Sequence, residues 1–151
     1  MVPMNWKLIL GLSLFGLGMA FATVFVISPR VEPLFWLAIF VICAFVIARQ
    51  APLRPFLHGF LLGIVNSVWI TGAHVLFFNR YLAGHPQEAA MMQGLHATGA
   101  VPRVAMALVG PAIGLISGAV IGILAYICTK ILRPSGTETL GRARKASAGR
   151  R

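Results

Sequence analysis

Residues 109–126 read VGPAIGLISGAVIGILAY, an apolar run in which Gly110, Gly114, Gly118 and Gly122 recur at every fourth position. Glycine weakens a helix in water, but in lipid it lets a neighbouring backbone come close, so this spacing predicts the packing seam of a transmembrane helix. A second ladder with the same period, Gly59, Gly63, Ser67 and Thr71, lies inside the apolar run that begins at Pro55. Both ladders are faces of small side chains, and each is the expected partner of the other.

The composition agrees with a membrane setting. Apolar residues make up 58% of the 151 residues and charged residues 11%, against roughly 45–50% and about 25% in soluble domains. Four apolar stretches are long enough to cross about 30 Å of hydrocarbon: residues 8–27, 34–50, 55–78 and 104–132. They leave no room for a separate soluble core. The second is the shortest, since its apolar part, Leu34 to Ala48, spans only about 22 Å as a helix. Extension at one end or the other is therefore required. Its Phe35, Trp36, Phe40 and Phe45 are bulky and suit a lipid-facing helix. Ala20-Phe21-Ala22 has the small-x-small form of a signal-peptide cleavage site, but the apolar run continues to Ile27, which favours an uncleaved span.

Proline and glycine punctuate the links. Pro29 and Pro33 bound the first, Arg49 to Arg54 forms a tight basic second link, and residues 79–103 form the only long one. Within it His85-Pro86 followed by Glu88 is a helix-start signal. A short helix from Pro86 to about Leu95 is expected there. Pro111 stands near the start of the fourth span as a candidate bend, and residues 133–151, polar, small and basic, are expected to be a disordered tail.

The net charge of +10 raises the question of nucleic acid, but the cations sit at span ends and in the tail, so no nucleic-acid partner is expected. Lys7, Arg49, Arg54, Lys130 and the six arginines and lysines after residue 132 fall on one side, with Arg30, Arg80 and Arg103 on the other. That bias places both termini in the cytoplasm. The predicted fold is thus an all-α integral membrane bundle of four transmembrane helices, with a short extracytoplasmic helix between spans three and four. Its expected partners are the bilayer, anionic lipids through the basic tail, and further copies of itself or a larger membrane complex.

No catalytic or cofactor motif is present, and none of the three acids, Glu32, Glu88 and Glu138, lies inside a span. That disfavours a carboxylate proton relay. Cys43 and Cys128 lie in separate spans and read as small buried hydrophobes. His58 and His74 are about 24 Å apart on one helix and so cannot share a haem within one subunit. The one constellation of interest is at the outer ends. Asn66, Ser67, Thr71 and His74 are polar residues of span three, with His74 about 20° from Ser67 on the helical wheel. The long link adds Asn79, His85, Glu88 and His96. His85 with Glu88, and Met92 with His96, have spacings that can present metal ligands on one helix face. The alternative is ordinary: a cap, a polar rim and a buried histidine bonded to a carbonyl.

The run GFLLGIVNSVWITGAHVLFFNRYLAGHPQEAAMM from Gly59, together with the quoted run from Val109, resembles a group of small four-span bacterial membrane proteins of a domain-of-unknown-function type. The resemblance implies a bacterial inner membrane and no particular activity. Three functional readings follow: a non-catalytic membrane protein that packs with itself or a complex, a small oligomeric transporter or channel with a polar site on span three, and a metal-handling protein or enzyme. Reporters fused at Arg151 and in the Pro29 link are expected to register cytoplasm and exterior respectively; an exterior C-terminus would overturn the four-span topology.

Overall fold

The computed structural model describes residues 3–132; the basic tail lies outside the described residues. Six helices are present there: α1 Trp6–Phe25, α2 Glu32–Gln50, α3 Pro55–Leu76, α4 Phe78–Gly84, α5 Pro86–Ala97 and α6 Pro102–Leu132. Of these, α1, α2, α3 and α6 are long and apolar enough to cross a membrane.

Each boundary has a local cause. Asn5 caps α1 by accepting a hydrogen bond from the Leu8 amide at 3.1 Å, which starts the helix at Trp6 rather than at Leu8. Helices α3, α5 and α6 begin at a proline, and α2 carries Pro33 in its first turn, where the missing N–H costs nothing. With Glu32 in that first turn, α2 is about 28 Å long, which supplies the length that Leu34 to Ala48 lack. Span three ends at Leu76, two residues before the expected point, because Phe77 leaves helical geometry (φ −101°, ψ 32°). The chain then resumes as α4, an element the sequence reading left as link. Helix α5 closes on Gly99 with φ +84°. The Ala100 amide bonds Leu95 O at 3.3 Å and the Gly99 amide bonds His96 O at 3.0 Å, the paired bonds of a glycine-terminated helix end.

The two most intimate helices are α3 and α6, antiparallel and in a single register. A Cβ placed on Gly59 would lie 2.6 Å from the Gly122 nitrogen, one on Gly122 2.7 Å from Phe56 O, and one on Gly118 2.5 Å from Phe60 O. Further along, Gly63 faces Gly118, Ser67 faces Gly114, and Thr71 faces Gly110. Backbone therefore lies on backbone, and no larger side chain fits between. Helix α1 packs parallel to α3, and α2 packs against α6; the sequence neighbours α1 and α2 touch little.

The bundle has two unequal cores. At the end holding Asn5, the α2–α3 link and the last turns of α6, all four long helices meet around Ile9, Cys43, Ile47, Leu62, Ile121 and Ala125. At the other end Val24, Tyr81, Met92 and Met106 form a smaller cluster that ties α4 and α5 to α1 and α6. Helix α2 was expected to face lipid more than the others. In fact α6 is as open as α2, because α6 spends its glycine face on α3 and leaves the rest of its circumference bare.

Gly118→Ala is expected to destabilise the fold by about 1–3 kcal/mol through overpacking. Gly18→Ala, where an added Cβ meets nothing within 4 Å, is expected to be neutral or slightly stabilising. Thermal unfolding in detergent compares the two, and equal midpoints would mean the seam carries no stability.

Candidate functional site

Between the two cores the helices part. A cavity of about 500 Å³ lies between α2, α3 and α6 and is roofed by α4 and α5. Its deep end is formed by Asn66, Ser67, Gly114 and Ser117, its walls by Trp36, Phe40, Ile70, Val109 and Ile113, and its rim by Glu32, His74, Tyr81, Glu88 and Met92. The walls are apolar and the two ends are polar. It lies where the α3 ladder changes from glycine to Ser67 and Thr71, both of which line it.

The rim is organised by stacked rings. The Tyr81 ring lies 3.9 Å from that of His74 and 4.1 Å from that of His85, nearly parallel to both. His74 reaches α1, where its Nε2 is 3.0 Å from Thr23 Oγ1. The Thr23 hydroxyl hydrogen is already directed at the Met19 and Ala20 carbonyls, so His74 Nε2–H donates and its Nδ1 carries the lone pair. His85 is different. Its Nδ1 is 2.9 Å from Tyr81 O and its Nε2 is 3.4 Å from Glu32 Oε2, so acceptors face both ring nitrogens. The other carboxylate oxygen, Glu32 Oε1, accepts from Trp36 Nε1 at 3.1 Å. The first turn of α2 is thereby fastened to the junction of α4 and α5.

The deep end behaves otherwise. Ser67 and Ser117 donate to the carbonyls of Ile64 and Gly114 in their own helices. Asn66 has no such outlet. It is 3% exposed, and neither its Oδ1 nor its Nδ2 has a hydrogen-bond partner among the described residues. Gly16 of α1 backs it, since a Cβ there would collide with the Asn66 carboxamide.

Of the residues singled out by sequence, Asn66, Ser67, Thr71, His74 and Glu88 line the cavity, and His85 closes its rim through Glu32. Asn79 and His96 are exposed and take no part. Along α5 the inner face is centred between Glu88, Met92 and Leu95, which puts His96 about 75° away. His85 is paired with Glu32 rather than with Glu88, because its ring is held over the last turn of α4, ahead of α5. Among the described residues no three His, Cys, Asp or Glu side chains converge as a metal site requires. His58, whose Nδ1 lies 2.8 Å from Arg54 O and whose Nε2 accepts from the Asn5 amide at 3.1 Å, is a structural tie at the opposite end. Glu32, Trp36 and Tyr81 escaped the sequence reading. The one available signal was the four-residue spacing of Glu32 to Trp36 and of Tyr81 to His85, which places each pair on one helical face.

Burial pushes the Tyr81 hydroxyl pKa upward, and the Glu88 and Glu32 carboxylates push it further. A tyrosine that ionises later in the folded chain than in the unfolded one, where its pKa is about 10, leaves stability intact below that pH and lost as the pH climbs beyond it. Thermal midpoints of the wild type are therefore expected to fall more steeply above pH 10 than those of Tyr81→Phe; parallel profiles would show that Tyr81 ionises freely. No protein-family model, curated protein or solved structure matches the chain, and the cavity is accordingly understood from its own residues.

Proposed function

We propose that this chain is an integral membrane protein that binds one lipophilic small molecule in the cavity between α2, α3 and α6. The observation that carries the reading is the cavity itself. Its volume of about 500 Å³ falls within the range of small-molecule sites, roughly 300–1,000 Å³, and apolar walls with a few convergent polar groups are what such sites share. The four helices close below it around Leu62, Ile47 and Ile121, so a single chain offers a pocket rather than a through-going pore. That favours a binding or carrier role over a channel.

The setting we propose is a bacterial inner membrane with both termini in the cytoplasm, resting on the charge count and on the resemblance of the two quoted runs. The cavity then opens in the outer leaflet, beneath α4 and α5. Self-association through the bare apolar faces is the competing role, but a bilayer covers those faces equally well.

Mass spectrometry of organic extracts from the purified full chain is expected to find a lipophilic molecule in stoichiometric amount. Ser117→Phe, which projects a ring into the cavity, is expected to remove it while the thermal midpoint holds. An empty wild type, or equal occupancy in the variant, would overturn the proposal.

A further inference from the structure

We infer that the occupant is a lipophilic organic cation, an ammonium with apolar substituents, whose charge is held at the rim by Glu32 and Glu88 and whose apolar part lies against Trp36 and Phe40. The inference rests on the cavity being a binding site and adds the charge of what it binds.

The starting point is where the acids are. The chain has a net charge of +10 and only three acids, yet two of the three line this one cavity, and among the described residues no lysine or arginine does. The arginines of α4 and α6 at this end are engaged elsewhere. The Arg103 guanidinium lies 5.3 Å from the centroid of the Phe78 ring, and Arg80 lines a separate pocket at the end of α1. An acid in the first turn of a helix is ordinary, because it complements the positive helix end. That accounts singly for Glu32 on α2 and Glu88 on α5, but not for both first turns opening on the same cavity. Among the described residues Glu32 has His85 as its ion-pair partner and Glu88 has none. The field of the two acids is felt at Tyr81, where, after burial, the Glu88 and Glu32 carboxylates push the hydroxyl pKa upward.

The walls supply the other half. Glu32, Trp36 and Phe40 all line the cavity and follow one another at four-residue steps on α2, so the two rings stand one and two turns deeper than the acid on the same helical face. Their centroids are 6.0 Å apart. Aromatic rings attract a cation through their negative faces, Trp most strongly. Tyr81 takes no part in that attraction, since His74 and His85 stack on its two faces. Met91, Met92 and Met106 line the cavity from α5 and α6; unbranched and polarisable, they adapt to substituents of different shape. An anion would lose its hydration and meet two acids with no counter-ion. A neutral amphiphile would use the apolar walls and gain nothing from the carboxylates. Only a cation draws on both.

Isothermal titration calorimetry of the full chain in a non-ionic detergent at about pH 7 tests this with three probes that share one alkyl chain: decyltrimethylammonium, decanoate and 1-decanol. Saturable one-to-one binding of the ammonium is expected, at least about tenfold tighter than that of the other two, as partly desolvated charge pairing and ring contact would produce. Glu88→Gln is expected to weaken the ammonium by about the same factor, and the double variant Glu32→Gln with Glu88→Gln by more, with 1-decanol unchanged. Glutamine at position 32 keeps an acceptor for the Trp36 indole, so the wall stays in place. Ser117→Phe is expected to abolish ammonium binding. Decanoate or 1-decanol bound as tightly as the ammonium, an ammonium that does not bind, or one that binds equally to the folded double variant or to Ser117→Phe would each overturn the inference. The comparison of the three probes on the wild type stands whether or not the variants fold. The reading of the cavity as a binding site fails separately, if 1-decanol also does not bind and organic extracts of the wild type are empty.

Discussion

Everything in this bundle depends on how closely α3 and α6 approach. Along one half of their contact the residues are glycine on both sides, and the carbonyls of Phe56 and Phe60 lie where Cβ atoms of Gly122 and Gly118 would otherwise be. Between membrane helices there is little hydrophobic driving force, so this contact is held by dispersion and dipolar interaction across a short gap, both of which fall quickly with distance. Along the other half α6 keeps Gly114 and Gly110 while α3 changes to Ser67 and Thr71. The seam therefore carries more side chain toward one end, and the cavity is found at that end.

Polar groups inside the bundle are dealt with in three ways. Hydroxyls return to their own helix: Ser13, Thr23 and Thr129, like the serines beside the cavity, donate to a carbonyl three or four residues back. Histidines tie elements together, His58 at one end between Asn5 and Arg54 and His85 at the other between Tyr81 and Glu32. Asn66 does neither. Hydrogen bonding inside a membrane is nearly obligatory because no water competes or compensates, so a buried carboxamide with neither atom paired among the described residues stands apart from its surroundings.

The four long helices were legible because hydrophobic length and glycine period are local properties, and the links were legible because proline and glycine act on their own turn. Asn66 and His74 could be named for the same reason: a polar residue inside an apolar run is conspicuous wherever the helix ends up. Glu32 and Tyr81 are not conspicuous. Each sits at a helix end, where an acid or a tyrosine is ordinary, and their meeting through His85 depends on α2 and α4 being brought together by helices on either side. Helix α4, only 7 residues long, is too short to show a period. Asn79 and His96, close to His85 in sequence, lie on exposed faces of α4 and α5 and do not line the cavity.

Helix α2 explains why the space beside Asn66 stays open. Its lower half presents the small Cys43 and Ala44 together with Ile47 and Ala48, all buried, and sits close to α6. Its upper half presents Trp36 and Phe40, which line the cavity instead of filling it, and Trp36 is held by its bond to Glu32 at the rim. A Trp anchored by its indole N–H keeps its ring at a fixed angle, and Glu32 is in turn fixed by His85. The polar rim thus sets the orientation of the aromatic wall. Removing the Glu32 carboxylate would free that ring to turn, so the acid at the rim helps to hold open the space that the ring lines.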